Sequence, residues 1–567
     1  MRIVPLPLPG VLVALLAAAY ILPGLVGHNP WKSEDAIGIG IVHQFMTGSD
    51  WLMPRLAGEP YYEDGPLFYW LGAALAKLLG GVLAAHDAAR LACALALVAT
   101  FAFIRLAGKA LQGPVQGNSA MLALMGCLGL LVHAHEMSAE TGALAGLAAA
   151  YWGLALARDV ANPRRFCTAV LALGGGIAVA LLCKGPVAAF APFITALILP
   201  LLARDWRSRR SLVALACGLV LSLGACAAWL ATVHAQSPQL VTAWLLAAFK
   251  PASDAWYSQL QVIGWAAWPA WPLALWELWR RRHAFAVASV QMPLVALVAS
   301  IAALFGFSPE ARDIEVLPVL LPLALLAGNA VDALRRGAAN ALTWFGTMTF
   351  TLSGVLIWLG WFAMMTGLPP TIARNFAKLE PGFEAQFALF PFVVALAISI
   401  AWAWLVVGAV RSSHRSLTFW AGGMTLMWAL VMTLWLPWID YGKTYGGVAA
   451  SLKRALPPGS QAAGACIQSS GLGEAQRAAF HYHAGIVTLR NEVSRNPHCA
   501  LLLVQSGLRD TQPAGWVRIW EGSRPRDSER YRLYVSAKST RSLAADAAIS
   551  QHDNSHNSHN SRLVQDK

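Results

Sequence analysis

Carboxylates are concentrated in one early segment of this chain, and their spacing suggests chemistry. Residues 31–70 read WKSEDAIGIGIVHQFMTGSDWLMPRLAGEPYYEDGPLFYW and contain six acidic residues, which are Glu34, Asp35, Asp50, Glu59, Glu63 and Asp64. A carboxylate can take a proton from an attacking hydroxyl group, contribute to a metal site or orient a polar substrate. A further acid, Glu140, occurs in the later segment HAHEMSAETGA. The elements around these acids decide whether they can act together.

The composition indicates that these elements are membrane-spanning helices. The chain of 567 residues is 57% hydrophobic and 13% charged, whereas a soluble domain averages about 25% charged residues. Apolar runs long enough to cross about 30 Å of hydrocarbon recur between residues 9 and 438. The formal net charge of +13 does not indicate a nucleic-acid partner, because the basic residues lie in short clusters between the apolar runs. Such clusters are typical of cytoplasmic loops.

Placing every basic cluster on the cytoplasmic side predicts the topology. It gives thirteen spans, at residues 9–26, 90–107, 117–134, 140–157, 166–183, 187–203, 211–233, 258–279, 284–306, 313–330, 342–366, 387–410 and 416–438. The apolar stretch from Leu67 to Ala84 is interpreted as an interfacial or re-entrant helix, because a full span there would move every later cluster to the outer face. The first span is interpreted as an uncleaved helix rather than a signal peptide. The N-terminus then lies inside, and the loop 27–89 and the C-terminus lie outside.

The sequence changes character after Asp440. The segment YGGVAASLKRALPPGS predicts a helix and a turn, and CALLLVQSG, GWVRIWEG and YRLYVSAKS predict short strands. We therefore expect a transmembrane domain over residues 1–438 and a small α/β domain over residues 439–542 on the outer face. Cys466 and Cys499 could form a disulfide if this region lies outside the reducing cytoplasm. Residues 543–567 are polar and of low complexity, which predicts disorder.

An acidic loop outside an apolar bundle fits a transporter gate, a metal site or a catalytic loop. A transporter needs ionisable residues near the middle of its spans, but most charges here lie at predicted span ends. His133, His135 and Glu136 suggest a divalent metal, yet histidines at i and i+2 of a helix point to different faces. The acids therefore favour a site at the outer membrane surface, and we assign no metal ion or other cofactor to it.

The first loop resembles that of a known family. The segment TGSDWLMPRLAGEPYYEDGPLFYW is similar to the first periplasmic loop of the lipid A aminoarabinose transferases, which belong with the dolichyl-phosphate-mannose protein mannosyltransferases among the GT-C membrane glycosyltransferases. The matching residues are Gly48, Asp50, Trp51, Pro54, Gly58, Tyr62, Glu63, Pro66, Leu67, Tyr69 and Trp70. Weaker similarity follows in MSAETGALAG, LLCKGPVAAF and PEARDIEVLPVLLPLALL. The resemblance thus reaches from residue 9 to about residue 330.

This resemblance implies a GT-C-like, all-α polytopic membrane protein with a periplasmic α/β domain, in a bacterial inner membrane. Such enzymes transfer a sugar from a polyprenyl-phosphate donor to an acceptor at the periplasmic face. The acceptor would be a lipid A-like lipid or another cell-envelope glycan, so the expected partners are the lipid-linked sugar, this acceptor and membrane lipids. The alternatives are a protein O-glycosyltransferase of the same fold, and a transport or non-catalytic protein for lipid-linked glycans.

The resemblance also implies the site residues. Glu34 falls at the first catalytic acid of the family, which is normally aspartate, and Asp35 falls at the acid that follows. A slip of one residue would exchange the two. Glu63 matches the loop glutamate, and Glu140 matches the acid of the second loop. The alternatives are solvated loop carboxylates for the first pair and an ion pair with Arg55 for Glu63.

Asp64 departs from the family, which has a lysine at this position, suited to the lipid phosphate. Because an aspartate would repel phosphate, Lys184 in CKGP is the first candidate to replace that lysine and Arg312 in ARD is the second. Both could instead contact lipid headgroups from helix ends, as basic side chains commonly do. Arg55 and Tyr62 of the first loop are expected to help bind the substrate.

Overall fold

The computed structural model describes residues 4, 6–48, 50–308, 310–410, 412–460, 466–493, 499–507, 512–525 and 527–537. The α-helices in these residues are α1 (Gly10–Ile21), α2 (Glu34–Thr47), α3 (Leu67–Leu79), α4 (Ala85–Gln112), α5 (Pro114–Met125), α6 (Leu128–His133), α7 (Ala139–Ala157), α8 (Pro163–Lys184), α9 (Pro186–Leu202), α10 (Arg209–Gln236), α11 (Pro238–Ala248), α12 (Trp256–Ala266), α13 (Ala270–Arg280), α14 (Ala288–Phe307), α15 (Leu317–Ala330), α16 (Arg336–Thr366), α17 (Pro370–Leu379), α18 (Leu389–Gly408), α19 (Arg415–Leu430), α20 (Leu436–Lys443), α21 (Gly446–Ala455) and α22 (Glu474–Ala484). The strands are β1 (Arg55–Leu56), β2 (Glu59–Pro60), β3 (Ile467–Ser470), β4 (Leu489–Arg490), β5 (Leu501–Ser506), β6 (Trp516–Gly522) and β7 (Arg530–Ser536).

Within the described residues, eight helical segments are long and apolar enough to cross a membrane. They are Ala85–Gln112, Pro163–Lys184, Arg209–Gln236, Ala288–Phe307, Asp313–Ala333, Arg336–Thr366, Leu389–Gly408 and Arg415–Lys443. The last of them contains a π-helical turn, Val431–Trp435. The prediction of a mainly helical membrane protein with a small C-terminal sheet is confirmed at this level.

The remaining predicted spans coincide with helices that are shorter, interrupted or less apolar. α1 has 12 residues and α9 has 17, and α7 carries the acidic Glu140 in its first turn. The span predicted at 117–134 is divided between α5 and α6, and the span predicted at 258–279 is divided between α12 and α13 around Pro269, whose nitrogen cannot donate a helical hydrogen bond. The number of thirteen crossings therefore stays a prediction.

The core of the helical part is formed by α4, α7, α8 and α15. Of the 14 residues of α15, 13 are buried, as expected for a helix that is apolar on every side. α7 and α8 are rich in alanine and glycine, so their backbones can approach closely. By contrast, α16 and α18 expose large apolar side chains, such as Leu352, Val355, Phe390 and Val407. This surface is the one we expect to face lipid.

The acidic loop and the basic segments lie at opposite ends of the helices. The acidic loop meets the end of the bundle where α4, α7, α9 and α15 begin and where α8 and α14 end. Ion pairs there join Asp35 to Arg90, Asp64 to Lys184 and Glu34 to Arg312. The basic segments at 105–109, 158–165, 204–210, 280–282 and 335–336 adjoin the other ends of the same helices. This arrangement agrees with the charge pattern of the sequence, and the side of the membrane that each end faces stays a prediction.

The apolar stretch after the acidic loop forms α3. This helix has 13 residues, and at 1.5 Å per residue it is about 20 Å long. It is therefore shorter than the roughly 30 Å of a hydrocarbon layer. α3 packs against α2 and α4 and exposes Leu71 and Leu78. These features fit a helix at the membrane surface, which remains a prediction.

The C-terminal part of the described chain is built on a five-stranded sheet. Its strand order is β4-β3-β5-β7-β6, with β3 parallel to both neighbours and β7 antiparallel to both of its own. The predicted helix is α21, and the three predicted strands are β5, β6 and β7. Cys466 and Cys499 form a disulfide. The domain boundaries at 438 and 542 stay predictions, and the tail at 543–567 lies outside the described residues.

Candidate active site

The helix α2 begins with the first pair of acids. Glu34 and Asp35 are its first two residues, where the free backbone N–H groups of a helix favour negative charge. Successive residues of an α-helix point about 100° apart, so the two carboxylates face different surroundings. Gly38 of the same helix lies against the segment before α7, because a Cβ there would collide with the carbonyl oxygen of Met137. This close approach fixes the acids beside the start of α7.

Asp35 is held in a closed network of hydrogen bonds. The guanidinium of Arg90 donates to its two oxygens at 3.1 Å from Nε and 2.7 Å from Nη2, and the backbone N–H groups of Trp31 and Met137 also donate to it. Asp35 is 2% exposed and Arg90 is fully buried. Burial raises the pKa of Asp35, but the charge and hydrogen bonds of Arg90 outweigh this effect and hold the pKa below its ordinary value. Hydrogen bonds within the protein therefore occupy both oxygens of the Asp35 carboxylate.

Glu34 faces a more open environment. Its Oε1 lies 3.4 Å from Nη1 of Arg312, and the Glu34 side chain is 18% exposed. The other end of the same guanidinium lies 2.9 Å from Oε1 of Glu315. Burial, together with the negative charge of nearby Glu140, raises the pKa of Glu34 to about 7. A carboxyl group with a pKa near neutrality is suited to act as a general base.

Lys184 ends α8 and lies between two carboxylates. Its Nζ is 2.7 Å from Oδ1 of Asp64 and 2.7 Å from Oε1 of Glu140. The Tyr69 hydroxyl donates to the other oxygen of Asp64 at 2.6 Å. Gly65 permits this arrangement, because a Cβ there would collide with the backbone of α8 and force the loop away from Lys184. The loop and the helix end thus share one buried charged cluster.

The first cavity extends from this cluster into the bundle. Its charged lining residues are Glu63, Glu140, Lys184, Lys250, Arg312 and Glu315. The apolar lining comes from the helices α9, α11 and α14 and includes Ala188, Ala191, Ala247, Ala303 and Leu304. The small alanine side chains leave space between these helices. A molecule with a charged head and a hydrocarbon tail matches this lining.

The second cavity has a volume of about 460 Å³ and lies beyond Arg312. Its lining consists of Lys32, Ser33, Glu34, His133, Glu136, Val262, Trp265, Ala311, Arg312, Asp313 and Ile314. Arg312 and Ile314 line both cavities, so they form part of the wall between them. Glu34 belongs to the lining of the second cavity.

The two histidines of the segment HAHEM face apart. Nδ1 of His133 lies 2.7 Å from Glu136 and its Nε2 lies 3.2 Å from Asp313. Nε2 of His135 instead lies 3.0 Å from the backbone oxygen of Tyr20. Among the residues that the structure describes, no group of three or more histidine, cysteine or acidic side chains is suited to a metal ion. The two imidazoles thus contact different parts of the chain, as their spacing predicts.

Comparison with known proteins points to one group of enzymes. The chain is 24% identical over 432 residues to the undecaprenyl phosphate-alpha-4-amino-4-deoxy-L-arabinose arabinosyl transferase of Pseudomonas aeruginosa strain UCBPP-PA14, covering 73% of each chain. It is 25% identical over 437 residues to the transferase of the same name from Pseudomonas savastanoi pv. phaseolicola, covering 75% of this chain and 76% of the relative. ArnT from Cupriavidus metallidurans bound to undecaprenyl phosphate has a similar structure, with a TM-score of 0.66 and 16% identity over 92% of this chain and 97% of the other. The chain resembles the aminoarabinose transferases.

The resemblance predicted from the first loop is thus confirmed, and the chain has the fold of ArnT. No family model matches the chain. The curated relatives are named as transferases that use a sugar on undecaprenyl phosphate. These names agree with the predicted class, a membrane glycosyltransferase with a lipid-linked donor.

Within this aminoarabinose transferase-like fold, the structure brings most of the predicted site residues together. Glu63, Glu140, Lys184 and Arg312 line the first cavity, and Glu34 lines the second. Asp64 joins them through its ion pair with Lys184. Asp64, which stands where the family has a lysine, therefore has a cationic partner in the fold.

Four predicted residues of the first loop lie outside both cavity linings, namely Asp35, Asp64, Arg55 and Tyr62. Arg55 donates from Nε to Asp50 at 3.1 Å, and this contact ties the residue to its own hairpin, β1–β2. Tyr62 packs instead on the cluster that contains Trp229 and Trp244. Among the described residues, Arg55 pairs with Asp50 and Glu63 lies 4.0 Å from Lys250, so the alternative ion pair between Glu63 and Arg55 is not formed.

Three residues of the site were missed from the sequence. Arg90 had a signal, because a charged residue inside an apolar span usually has a buried partner. Asp313 is adjacent to the predicted Arg312, but nothing in the sequence links it to His133. Lys250 stands alone in the segment AAFKPAS, where no periodicity or motif marks it. Its position at the cavity follows only from the packing of α11 against α10 and the acidic loop.

Proposed function

We propose that this chain is a membrane glycosyltransferase, which transfers a sugar from a polyprenyl-phosphate donor to an acceptor lipid or glycan of the cell envelope. The observation that carries the proposal is the first cavity, where a charged lining continues into an apolar groove between α9, α11 and α14. A lipid phosphate has the same division into a charged head and an apolar tail. The names of the relatives and the undecaprenyl phosphate bound by ArnT support the same donor.

Lys250 and Arg312 are the cations that we assign to the donor phosphate. The Lys250 side chain is 54% exposed and lies 4.0 Å from Glu63, which is a long ion pair. Lys184 is 16% exposed and lies 2.7 Å from each of its two carboxylates. Arg312 is 36% exposed and lies 2.9 Å from Glu315 and 3.4 Å from Glu34, so it is more accessible to a phosphate than Lys184. Positive groups aimed at the leaving phosphate stabilise the negative charge that develops there.

The cluster around Lys184 orients the sugar. Glu140 and Lys184 both line the first cavity, and Asp64 holds the lysine from behind. Glu63 lines the same cavity near Lys250. Carboxylates accept hydrogen bonds from hydroxyl groups and from a sugar amine, so Glu63 and Glu140 fix the donor sugar while the cations hold its phosphate.

The transfer step needs a base and a stabilised leaving group. The oxygen of an acceptor hydroxyl attacks the anomeric carbon, and its proton passes to the Glu34 carboxylate. The bond from this carbon to the phosphate oxygen breaks, and its electron pair leaves with the polyprenyl phosphate. The distance of 3.4 Å between Glu34 and Arg312 supports this proposal, because the base and a cation of the phosphate site would then be neighbours. Asp35 takes no part in the step because Arg90 occupies its oxygens.

We also propose the membrane arrangement predicted from the sequence. The chain would lie in a bacterial inner membrane with thirteen crossings, a cytoplasmic N-terminus and a periplasmic C-terminal α/β domain. The separation of the basic segments from the acidic loop along the helices supports this orientation. Cysteines introduced into the loop 31–66 should react with impermeant thiol reagents from outside, whereas a cysteine next to Arg207 should not.

Incubation of the purified full-length protein with a panel of undecaprenyl-phosphate sugars and envelope lipids tests the function. Mass spectrometry of the released undecaprenyl phosphate should show turnover of at least one donor. Glu34→Gln should lower the rate of this release about 10²- to 10⁴-fold, while Asp50→Asn, which removes a carboxylate of the same loop outside the cavity linings, should retain it. If no donor of the panel releases its carrier, the proposed function is wrong.

A further inference from the structure

The helix α22 of the C-terminal region meets the helical bundle through a group of histidines. The rings of His481 and Tyr482 lie 5.0 Å and 5.3 Å from the ring of His43 on α2. The Tyr482 hydroxyl is 2.8 Å from Nδ1 of His86 at the start of α4, and the ring of His483 is 5.1 Å from that of Tyr482. We call these five residues the histidine cluster. The cluster connects α22 to two helices that are distant from it in the sequence.

The titratable and charged groups that face His481 and His483 come from α2, α4 and α20. They are His43, His86 and Asp440, with Asp87 and Arg90 beside His86. Within the described residues, His86 is the member of the cluster that lies near a carboxylate, at 3.7 Å from Asp87, and Asp87 is already paired with Arg90 at 3.3 Å. Asp440 forms no ion pair with His483 in the part of the chain that the structure describes. A proton on His481 or His483 would therefore add a positive charge that has no carboxylate in contact with it.

Each of the two histidines of α22 also has one ring nitrogen in a buried position. Among the described residues, Nδ1 of His481 and Nε2 of His483 have no hydrogen-bond partner. In a neutral imidazole one of the two ring nitrogens carries no hydrogen, so the contact can accommodate the uncharged form. Protonation adds an N–H group, and a buried donor without an acceptor is unfavourable, as is a buried charge without a partner. The contact therefore favours the neutral form of both side chains.

The electrostatics of the contact agree with this geometry. Burial, and then the neighbouring His43, lower the pKa of His481 to about 4. Burial, and then His86, lower the pKa of His483 to about 4 against the opposing charge of Asp440. A histidine in water has a pKa of about 6.5, so the separated state binds protons more readily than the contact does. The contact is therefore fully stable above about pH 6.5 and loses stability as the pH falls below this value.

We propose that the histidine cluster makes the packing of α22 on α2 sensitive to pH, so that acid separates these two helices locally. The ion pairs between Arg477 and Glu59 and between Lys32 and Glu529 involve no histidine, so they keep the C-terminal region attached to the first loop when the cluster opens. The second half of α2, which carries His43, would then lose the support of α22. This inference concerns a contact between two parts of the chain and does not depend on the proposed transfer reaction.

Hydrogen–deuterium exchange of the purified full-length protein in detergent, at pH 7 and at pH 5 and without any substrate, tests this inference. Labelling times are scaled for the intrinsic pH dependence of amide exchange. A histidine whose pKa is about 4 in the contact and about 6.5 in water shifts the equilibrium towards separation by about 20-fold between these two pH values. We expect α22 and the second half of α2 to lose protection by about this factor or more, while the buried helix α15 keeps its protection. Equal protection of α22 and α2 at both pH values would overturn the inference, and so would a loss that extends to α15, because acid would then act on the whole fold.

Two variants assign the response to the cluster. The protein with both His481→Gln and His483→Gln carries side chains that do not titrate at these positions, so its α22 and α2 should be equally protected at pH 7 and pH 5. His234→Gln, which replaces an exposed histidine in the last turn of α10, should keep the pH response of the wild type. A double variant that still loses protection in acid would overturn the inference. If the double variant yields too little protein, the comparison of α22, α2 and α15 in the wild type decides.

Discussion

Glu34 and Asp35 are neighbours in the chain, yet they belong to two different charged regions. Asp35 lies in a closed region, where Arg90 and two backbone N–H groups occupy its oxygens. Glu34 lies in an open region, with one contact of 3.4 Å to Arg312 and a position on a cavity wall. The difference shows that a carboxylate is available for chemistry only where the fold leaves its hydrogen-bonding capacity incomplete. The contacts of Asp35 in the closed region fix the start of α2, which is the helix that also carries Glu34.

Arg90→Ala should give the largest effect, because it removes the cation of the closed region. Asp35 and Asp87 would then remain buried without this partner, and breaking a buried ion pair costs about 3–5 kcal/mol. We expect a strongly reduced yield and a lowered unfolding temperature in detergent. Arg55→Ala, which breaks a more exposed pair, should change the unfolding temperature little. A stable Arg90→Ala protein would contradict the structural role of this region.

Glu34→Gln and Asp35→Asn separate catalysis from folding. The loss of a general base lowers the rate by about 10²- to 10⁴-fold, so Glu34→Gln should lose turnover and keep the wild-type unfolding temperature. Asp35→Asn should lower the unfolding temperature, because Arg90 would lose its charged partner. Initial rates and thermal unfolding on the same samples check both outcomes. The opposite pattern would exchange the two assignments.

Lys250→Ala should reduce donor use without affecting stability. A hydrogen bond to a charged group contributes about 1.5–3 kcal/mol, which corresponds to roughly a tenfold to hundredfold loss of kcat/KM for the donor. Lys378→Ala, on the exposed helix α17, provides a control that removes a lysine away from both cavities. Donor titrations at a fixed acceptor concentration measure the effect. An unchanged constant for Lys250→Ala would place the phosphate on other cations.

Close to neutral pH, the pH dependence should give the smallest of these effects. The groups around Glu34 are Glu140, Arg312, Lys184 and Asp64, and burial and Glu140 raise its pKa to about 7. Because the base must be ionised, the rate should fall as the pH drops below about 7 and level off above it, by about tenfold per pH unit at the acidic end. The residual activity of Glu34→Gln should lack this limb. A flat wild-type profile between pH 5 and 8 would argue against Glu34 as the base.

The sequence predicted most elements but only part of the site. Long apolar runs and the strand patterns of the C-terminal region follow from side-chain hydropathy, which acts locally, so α4, α8, α14 and β5 to β7 are found near their predicted positions. The interruption at Pro269 and the shortness of α1 depend on backbone hydrogen bonding and packing. Side-chain hydropathy alone therefore does not determine the number of spans.

The site itself depends on contacts between distant segments. The family pattern pointed to Glu34 and Glu140, but no local signal could show that Asp64 lies 2.7 Å from Lys184, which is 120 residues away in the chain. The contact of Arg55 with the substrate stays a prediction, since in the structure Arg55 lies in its own hairpin and donates to Asp50. Lys250 reaches the cavity because α11 packs against the first loop, where Trp244 donates to the backbone oxygen of Asp64.

The contact between α22 and α2 has a consequence for the biosynthesis of this protein. α22 packs against α2, with the rings of His43 and His481 5.0 Å apart, and Arg477 of α22 lies 3.1 Å from Glu59 of the strand β2 in the same loop. At the usual speed of translation the ribosome needs roughly 20–90 s to proceed from the end of α2 to α22. During this interval the acidic loop is already outside the ribosome but has no C-terminal partner. The helix that carries Glu34 is therefore synthesised early but gains its last packing partner only after α22 is made, and a chain that ends before α22 lacks this support of α2.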